Sequence, residues 1–399
     1  MTTERCTNRF AAVGLLPGAA GAVILPETDS AVAEAVRAGR FDEVPAEAGF
    51  LRGLSHGKVV ESLDRVNAAL LAGDADSLTD LASTLDPQSA MLLHAAAYRM
   101  GAAVVLPESS EELDPRVDAY VTATRAHEAA ANGDLNTGLD LLLQAAAITR
   151  EISPGASARY VGEAASLVAQ SGQAHPLVMH ELEAAAKQLE GLAFEDLRGE
   201  LLMARADMLM TMGSERPSLM QQAVLCFQQA IQALPRKRRP VAYAMCHVNI
   251  AVAYLSMPMN EHAGKLRAAM AVQSLREALE ILTPAEHGEM WEAATLNLAN
   301  ALQHLPSAHV SQNLVEAVSL YESMLERRAG SGVARARLLA NMGNAQAHLG
   351  RLDEAERSLS GAHAIFESLG DRAAIEGIGG VLAEIKSLRN AEPAKGGTS

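Results

Sequence analysis

The sequence predicts an all-α fold, a solenoid of antiparallel helical hairpins, on three observations. Alanine and leucine dominate a chain in which only 3% of residues are aromatic, which suits closely packed helices better than sheets built on β-branched and aromatic side chains. At 399 residues and 49% hydrophobic, the chain has ample material for a core. It also exceeds the roughly 250–300 residues at which a single core stops growing, so several domains or a repeat array are expected. A pair of short helices then recurs through the C-terminal half, and recurrence of one small unit marks a repeat architecture.

From the N-terminus, residues 1–26 form an apolar segment. Arg5 and Arg9 precede an apolar stretch over 10–25, which has the outline of a secretory signal. Gly14, Pro17, Gly18 and Gly21 make it a poor helix, it is short for a membrane span, and Ala20, Gly21 and Ala22 lead into more apolar chain. An irregular segment on a cytoplasmic protein is expected. Residues 27–110 read as a helical region with three helices over 57–103, and Glu108, Glu111 and Glu112 as a solvated helix start. Residues 114–390 carry the hairpins, closed by a capping helix over 371–389, and 391–399 read as a disordered tail.

The clearest unit is RLLANMGNAQAHLGRLDEAERSLSGAHAIF at 337–366. Its first helix puts Leu339, Met342 and Gln346 on one face, Gly343 permits close approach of the next helix, and Gly350 ends it. Its second helix begins near Leu352, with Ala355, Leu359 and Ala362 at helical spacing. The same pattern recurs upstream. NLANALQHL at 297–305 pairs with LVEAVSLY from 314, NIAVAYL from 249 with LREALEIL from 275, and MARADMLMTMG from 203 with QQAVLCFQQA from 221. Weaker hairpins fall at 117–148 and 158–189. Against a constant period, the stretches 257–270 and 306–313 read as loops inserted within hairpins, on one face of the solenoid.

This unit resembles the tetratricopeptide repeat, whose large, Leu, Gly/Ala, Tyr, Ala, aromatic and Ala positions read here Leu339, Met342, Gly343, Gln346, Ala355, Leu359 and Ala362. The polar Gln346 and non-aromatic Leu359 depart from it. The resemblance covers about 114–390 and is strong from about 200 onward. It implies a right-handed superhelix whose first helices line a concave groove. The groove-facing positions hold Asn249, Asn297 and Asn341, then Asn300 and Asn344, with Arg337, His304 and His348 completing the partner-binding set. An asparagine amide both donates and accepts, so a ladder of them suits an extended peptide backbone. Equally, such asparagines can satisfy neighbouring helices. Some members of the family grip a C-terminal carboxylate with lysines; those lysines are missing here, which argues against such a clamp.

Other signals carry bland readings. Formal net charge is −15, so the field of the molecule disfavours nucleic acid and anionic lipid. Cys6, Cys226 and Cys246 include no CxxC pair and read as free thiols. The methionines crowded between 203 and 290 read as core filling, with Met257 and Met259 as the exceptions fit for a surface. Arg236, Lys237, Arg238 and Arg239 between two prolines read as a solvated loop. His287, Glu289, His304 and His309 lack metal-ligand spacing, and no phosphate loop, nucleophile elbow or dinucleotide fingerprint is present. The expectation is therefore a non-enzymatic scaffold or adaptor without a cofactor or metal, binding an extended segment of a protein partner; self-association is a further option. The block 243–328 is similar to bacterial tetratricopeptide proteins associated with maturation of redox enzymes, hydrogenases among them, which implies an assembly role. A regulator sensing a peptide or small ligand is the alternative, with a pocket near Tyr243, Tyr254 and Trp291.

Overall fold

A computed structural model describes residues 74–84, 87–106, 113, 115–151, 154–191, 194–213, 216–258, 263–305, 309–327 and 332–391. Among them are fifteen α-helices and no strand. The apolar segment 1–26, most of 27–110, the acidic cluster at 108–112, Cys6, Met259 and the tail beyond 391 lie outside the described residues.

The chain divides into two compact units, 1–234 and 235–399. The first contains α1 (Ala75–Ala82), α2 (Pro87–Arg99), α3 (Pro115–Ala131), α4 (Leu135–Thr149), α5 (Pro154–Gln170), α6 (Pro176–Gln188), α7 (Glu195–Met212) and α8 (Pro217–Ala233). The second contains α9 (Pro240–Ser256), α10 (Ala263–Leu279), α11 (Gly288–His304), α12 (Val310–Arg327), α13 (Val333–His348), α14 (Leu352–Leu369) and α15 (Arg372–Ala391).

Local sequence sets these boundaries. Six helices open on a proline, at residues 87, 115, 154, 176, 217 and 240, where its fixed φ suits the helix and its missing N–H would have had no partner. Asp74 and Asp134 cap α1 and α4 by accepting from the backbone N–H of Ser77 and Thr137, each at 3.0 Å. Gly350 takes φ +74° between α13 and α14, a left-handed conformation that a side chain would oppose.

Within each unit, consecutive helices pack as antiparallel hairpins. In the C-terminal unit the pairs are α9 with α10, α11 with α12 and α13 with α14, while α15 packs on α14. Contacts also join α9 to α11 and α13 to α15, so first helices meet first helices, as stacked hairpins require. The fold is an all-α helical-repeat architecture of tetratricopeptide type.

The interlock between paired helices depends on small residues. A Cβ on Gly343 would stand 2.6 Å from Leu359 Cγ, so the close approach expected at Gly343 is made, with Leu359 setting how closely α13 and α14 pack. Ala355, Leu359 and Ala362 are fully buried beneath it. The polar departure at Gln346 is resolved in place: it is 4% exposed, and its Oε1 accepts a 2.8 Å hydrogen bond from the Ser358 hydroxyl. A buried amide is tolerated where its hydrogen-bonding capacity is met.

Two expectations are corrected. The supposed insertions are mostly helix: α10 already begins at Ala263 and α12 at Val310. Lys265, Leu266, Arg267, Ala268, Ala269 and Met270 are all strong helix formers, so the extra residues lengthen the second helices instead of looping out. Met257 is 3% exposed and belongs to the core, where its flexible thioether fills the end of α9.

Candidate functional site

In the C-terminal unit, helices α11, α13 and α15 enclose a groove of about 630 Å³. This lies within the range of about 300–1,000 Å³ typical of ligand pockets. From α11 come Asn300, Gln303 and His304; from α13, Asn341, Asn344, Ala347 and His348; from α15, Val381, Glu384, Ile385 and Leu388. The structure thus brings together five of the eight expected site residues. The other three lie elsewhere: Asn297 is half-buried one turn earlier on α11, Asn249 is half-buried on α9 with a partner inside the chain, and Arg337 is exposed at the start of α13.

The clustered asparagines play two different parts. Tyr321 on α12 is fully buried; its hydroxyl donates to Asn300 Oδ1 at 2.6 Å and accepts from Gln303 Nε2 at 2.5 Å. Asn341 Nδ2 donates to the same Asn300 oxygen at 3.1 Å. Burial also pushes the Tyr321 hydroxyl well above the usual phenol range, so it stays protonated and keeps donating. Asn300 is therefore part of the scaffold. Among the described residues, no hydrogen bond or ion pair occupies Asn344, His304 or His348, and these groups remain open to a ligand.

The third wall was not foreseen. Val381, Ile385 and Leu388 recur at helical spacing and present an apolar stripe, with Glu384 beside it. Ile385 is buried, whereas Leu388 is 51% exposed. Arg389 pins this end of α15 to α14, through Asp353 and through Glu356 Oε2 at 2.6 Å. The periodicity of α15 is legible in the sequence. That its stripe turns toward the first helices depends on the packing of α15 against α13 and α14.

The N-terminal unit holds a charged cluster around a buried carboxylate, which sequence reasoning missed. Glu163 on α5 has a side chain only 9% exposed. Its Oε2 lies 2.8 Å from His127 Nε2 on α3 and 3.4 Å from Arg99 Nη2 on α2, while Arg159 Nε stands 3.9 Å from Oε1. Burial alone would raise the Glu163 carboxyl, but Arg99, His127 and Arg159 hold it below the usual carboxylate range. Arg99 also lies over the Tyr120 ring, 5.4 Å from its centroid. Residues spread from 99 to 163 carry no spacing signal; only the fold assembles them. A cavity of about 310 Å³ adjoins His127 and Glu163, walled mostly by Ala126, Ala130, Leu142 and Leu167.

The aromatic residues considered for a sensing pocket are each engaged in local packing. Tyr254 and Trp291 pack on the core of the C-terminal unit, and Arg327 covers the Trp291 ring at 5.5 Å. Tyr243 stacks obliquely on His247 at 4.7 Å. Of the basic run, Arg236 pairs with Glu280 at 2.9 Å. Cys226 and Cys246 are buried and form no disulfide among the described residues. No described helix is long and apolar enough to cross a membrane.

His247 has both ring nitrogens buried without a hydrogen-bond partner among the described residues. Burial lowers its pKa and Arg236 adds to this, against an opposing effect of Glu277. The folded state thus holds a neutral ring that the unfolded chain protonates below about pH 6.5. Stability should be complete above that pH and decline as pH falls below it. In His247→Leu, this histidine's share of the pH 7 to pH 5 decline should vanish, and stability at pH 7 should rise by about 1 kcal/mol as an unsatisfied polar group is removed. Urea unfolding of both proteins at several pH values checks this.

No protein-family model and no curated protein sequence matches the chain. Among solved structures, the fold is similar to a signal-transduction ATPase with numerous domains carrying a tetratricopeptide repeat sensor, from Pyrococcus horikoshii. The TM-score is 0.55 at 12% identity, over 90% of this chain and 55% of that one; this chain therefore spans about half that protein's length. The apo quorum sensor NprR from B. thuringiensis aligns with TM-score 0.46 at 13% identity, over 97% and 94% of the two chains. A Rap protein complexed with competence and sporulation factor gives 0.39 at 12%, over 96% of each.

Proposed function

We propose that the chain is a non-enzymatic binding protein whose groove between α11, α13 and α15 holds an extended segment of a partner protein. The observation that carries this reading is the pairing of two unlike walls. Asn344, His304 and His348 offer uncommitted hydrogen-bonding groups on one side, and Val381, Ile385 and Leu388 form an apolar stripe on the other. An extended peptide needs both: amides for its backbone and apolar surface for alternate side chains. An adaptor in enzyme assembly is the finer form of this reading. A peptide-sensing regulator is the second reading, favoured by the short-peptide size of the groove and by the fold's similarity to the Pyrococcus protein with a tetratricopeptide repeat sensor.

The test separates binding residues from scaffold residues. With the full chain as bait in lysate of its source organism, the triple variant Asn344→Ala, His304→Ala, His348→Ala should lose a partner that the wild type recovers. Its stability should stay within about 0.5 kcal/mol of wild type, because these side chains make no internal bonds. Asn300→Ala should instead cost about 1–3 kcal/mol in urea unfolding, since the buried Tyr321 hydroxyl loses its acceptor. Recovery of the same partners by the triple variant would sink the reading.

A further inference from the structure

The groove's charge inventory is one-sided. Among the described residues that line the groove, Glu384 alone carries a formal charge, and none is a lysine or arginine. The cations near it on α15 point to other duties: Arg389 is tied to Asp353 and Glu356, and Lys386 is exposed outside the lining. Glu384 stands within the stripe formed by Val381, Ile385 and Leu388, so a carboxylate and aliphatic surface are offered together on one helix face. The chain as a whole carries −15, a field that draws cationic segments toward it and repels acidic ones.

Resting on the peptide-groove reading above, we infer that the groove selects a segment in which a lysine or arginine is flanked by an aliphatic residue. The cationic head meets Glu384, its own methylene stem lies along the stripe, and the neighbouring aliphatic side chain fills the space beside Leu388 and Val381. Asn344 and His348 across the groove bond the backbone and impose no sequence of their own. Glu384 is exposed, so its discrimination is modest: about threefold to fivefold in affinity for a basic over a neutral side chain, weakened by salt.

The probe is a phage-displayed library of random hexapeptides, selected on the purified full chain at low ionic strength. Selection is repeated on Glu384→Lys and on the double variant Asn344→Ala, His348→Ala. The expected result is that wild type enriches Lys or Arg next to Leu, Ile or Val. Synthetic versions of these peptides should bind the double variant at least about tenfold more weakly, and Glu384→Lys should shift enrichment toward Asp and Glu. If the peptides depend on Asn344 and His348 but show no basic preference, or if Glu384→Lys selects the same set, the charge inference is overturned while the groove reading stands. If no peptide depends on Asn344 and His348, both fall together.

Discussion

Glu163→Gln is expected to lower stability by about 3–5 kcal/mol, which urea unfolding followed by circular dichroism would show as an earlier transition for the N-terminal unit. Glutamine keeps the shape and removes the charge, so Arg99 is left buried against Tyr120 without its counter-ion. Breaking a buried pair from one side leaves an uncompensated charge, which is the expensive case. The replacement of both partners differs: Arg99→Met with Glu163→Met should recover most of the loss, because neither charge then needs solvation. The pH dependence has a definite sign. The carboxyl is held below its ordinary range in the fold, so its stabilisation is present above about pH 4.3 and is lost as pH falls through the folded value. Glu163→Gln should lack that acid-sensitive part. A wild-type-like midpoint in Glu163→Gln would mean that water reaches the cluster and solvates Arg99.

The second large effect has the opposite direction and lies in α15. Gly377, Gly379 and Gly380 sit inside this helix, yet a Cβ added at any of them meets nothing within 4 Å. Among the described residues no close approach of another helix accounts for them, and each costs roughly 0.8–1.0 kcal/mol relative to alanine in a helix interior. Gly377→Ala, Gly379→Ala and Gly380→Ala together should stabilise α15 by about 2–3 kcal/mol. Hydrogen exchange over 372–391 should slow by about a hundredfold, provided α15 opens separately from α13 and α14. Slowing of all three helices together would show that α15 unfolds only with the unit. The weakness matters because this helix carries the apolar wall of the groove, so its local stability sets how well that wall is held in place.

Much of this architecture is legible in the residues. The spacing of Ala355, Leu359 and Ala362, the close-approach glycine at 343 and the turn glycine at 350 specify the α13–α14 hairpin by local and next-neighbour chemistry, and the structure follows them. The resemblance to the tetratricopeptide repeat implied that Asn300, Asn341 and Asn344 face inward from first helices, and the structure brings all three to one groove. Reading 257–270 as a loop failed for a simple reason: a repeat of fixed length was assumed where strong helix formers extend α10 to Ala263.

The sequence by itself determined what each short segment does: which residues make helices, where prolines and glycines start and stop them, and which faces are apolar. These depend on interactions within a few residues. Only the tertiary structure decided which asparagines are spent and which remain open, because Tyr321, from another helix, claims Asn300. It also decided that α15 walls the groove and that Arg99 and the exposed His127 converge on the buried carboxylate of Glu163. Such relations join residues tens of positions apart, and no periodicity encodes the packing that brings them together.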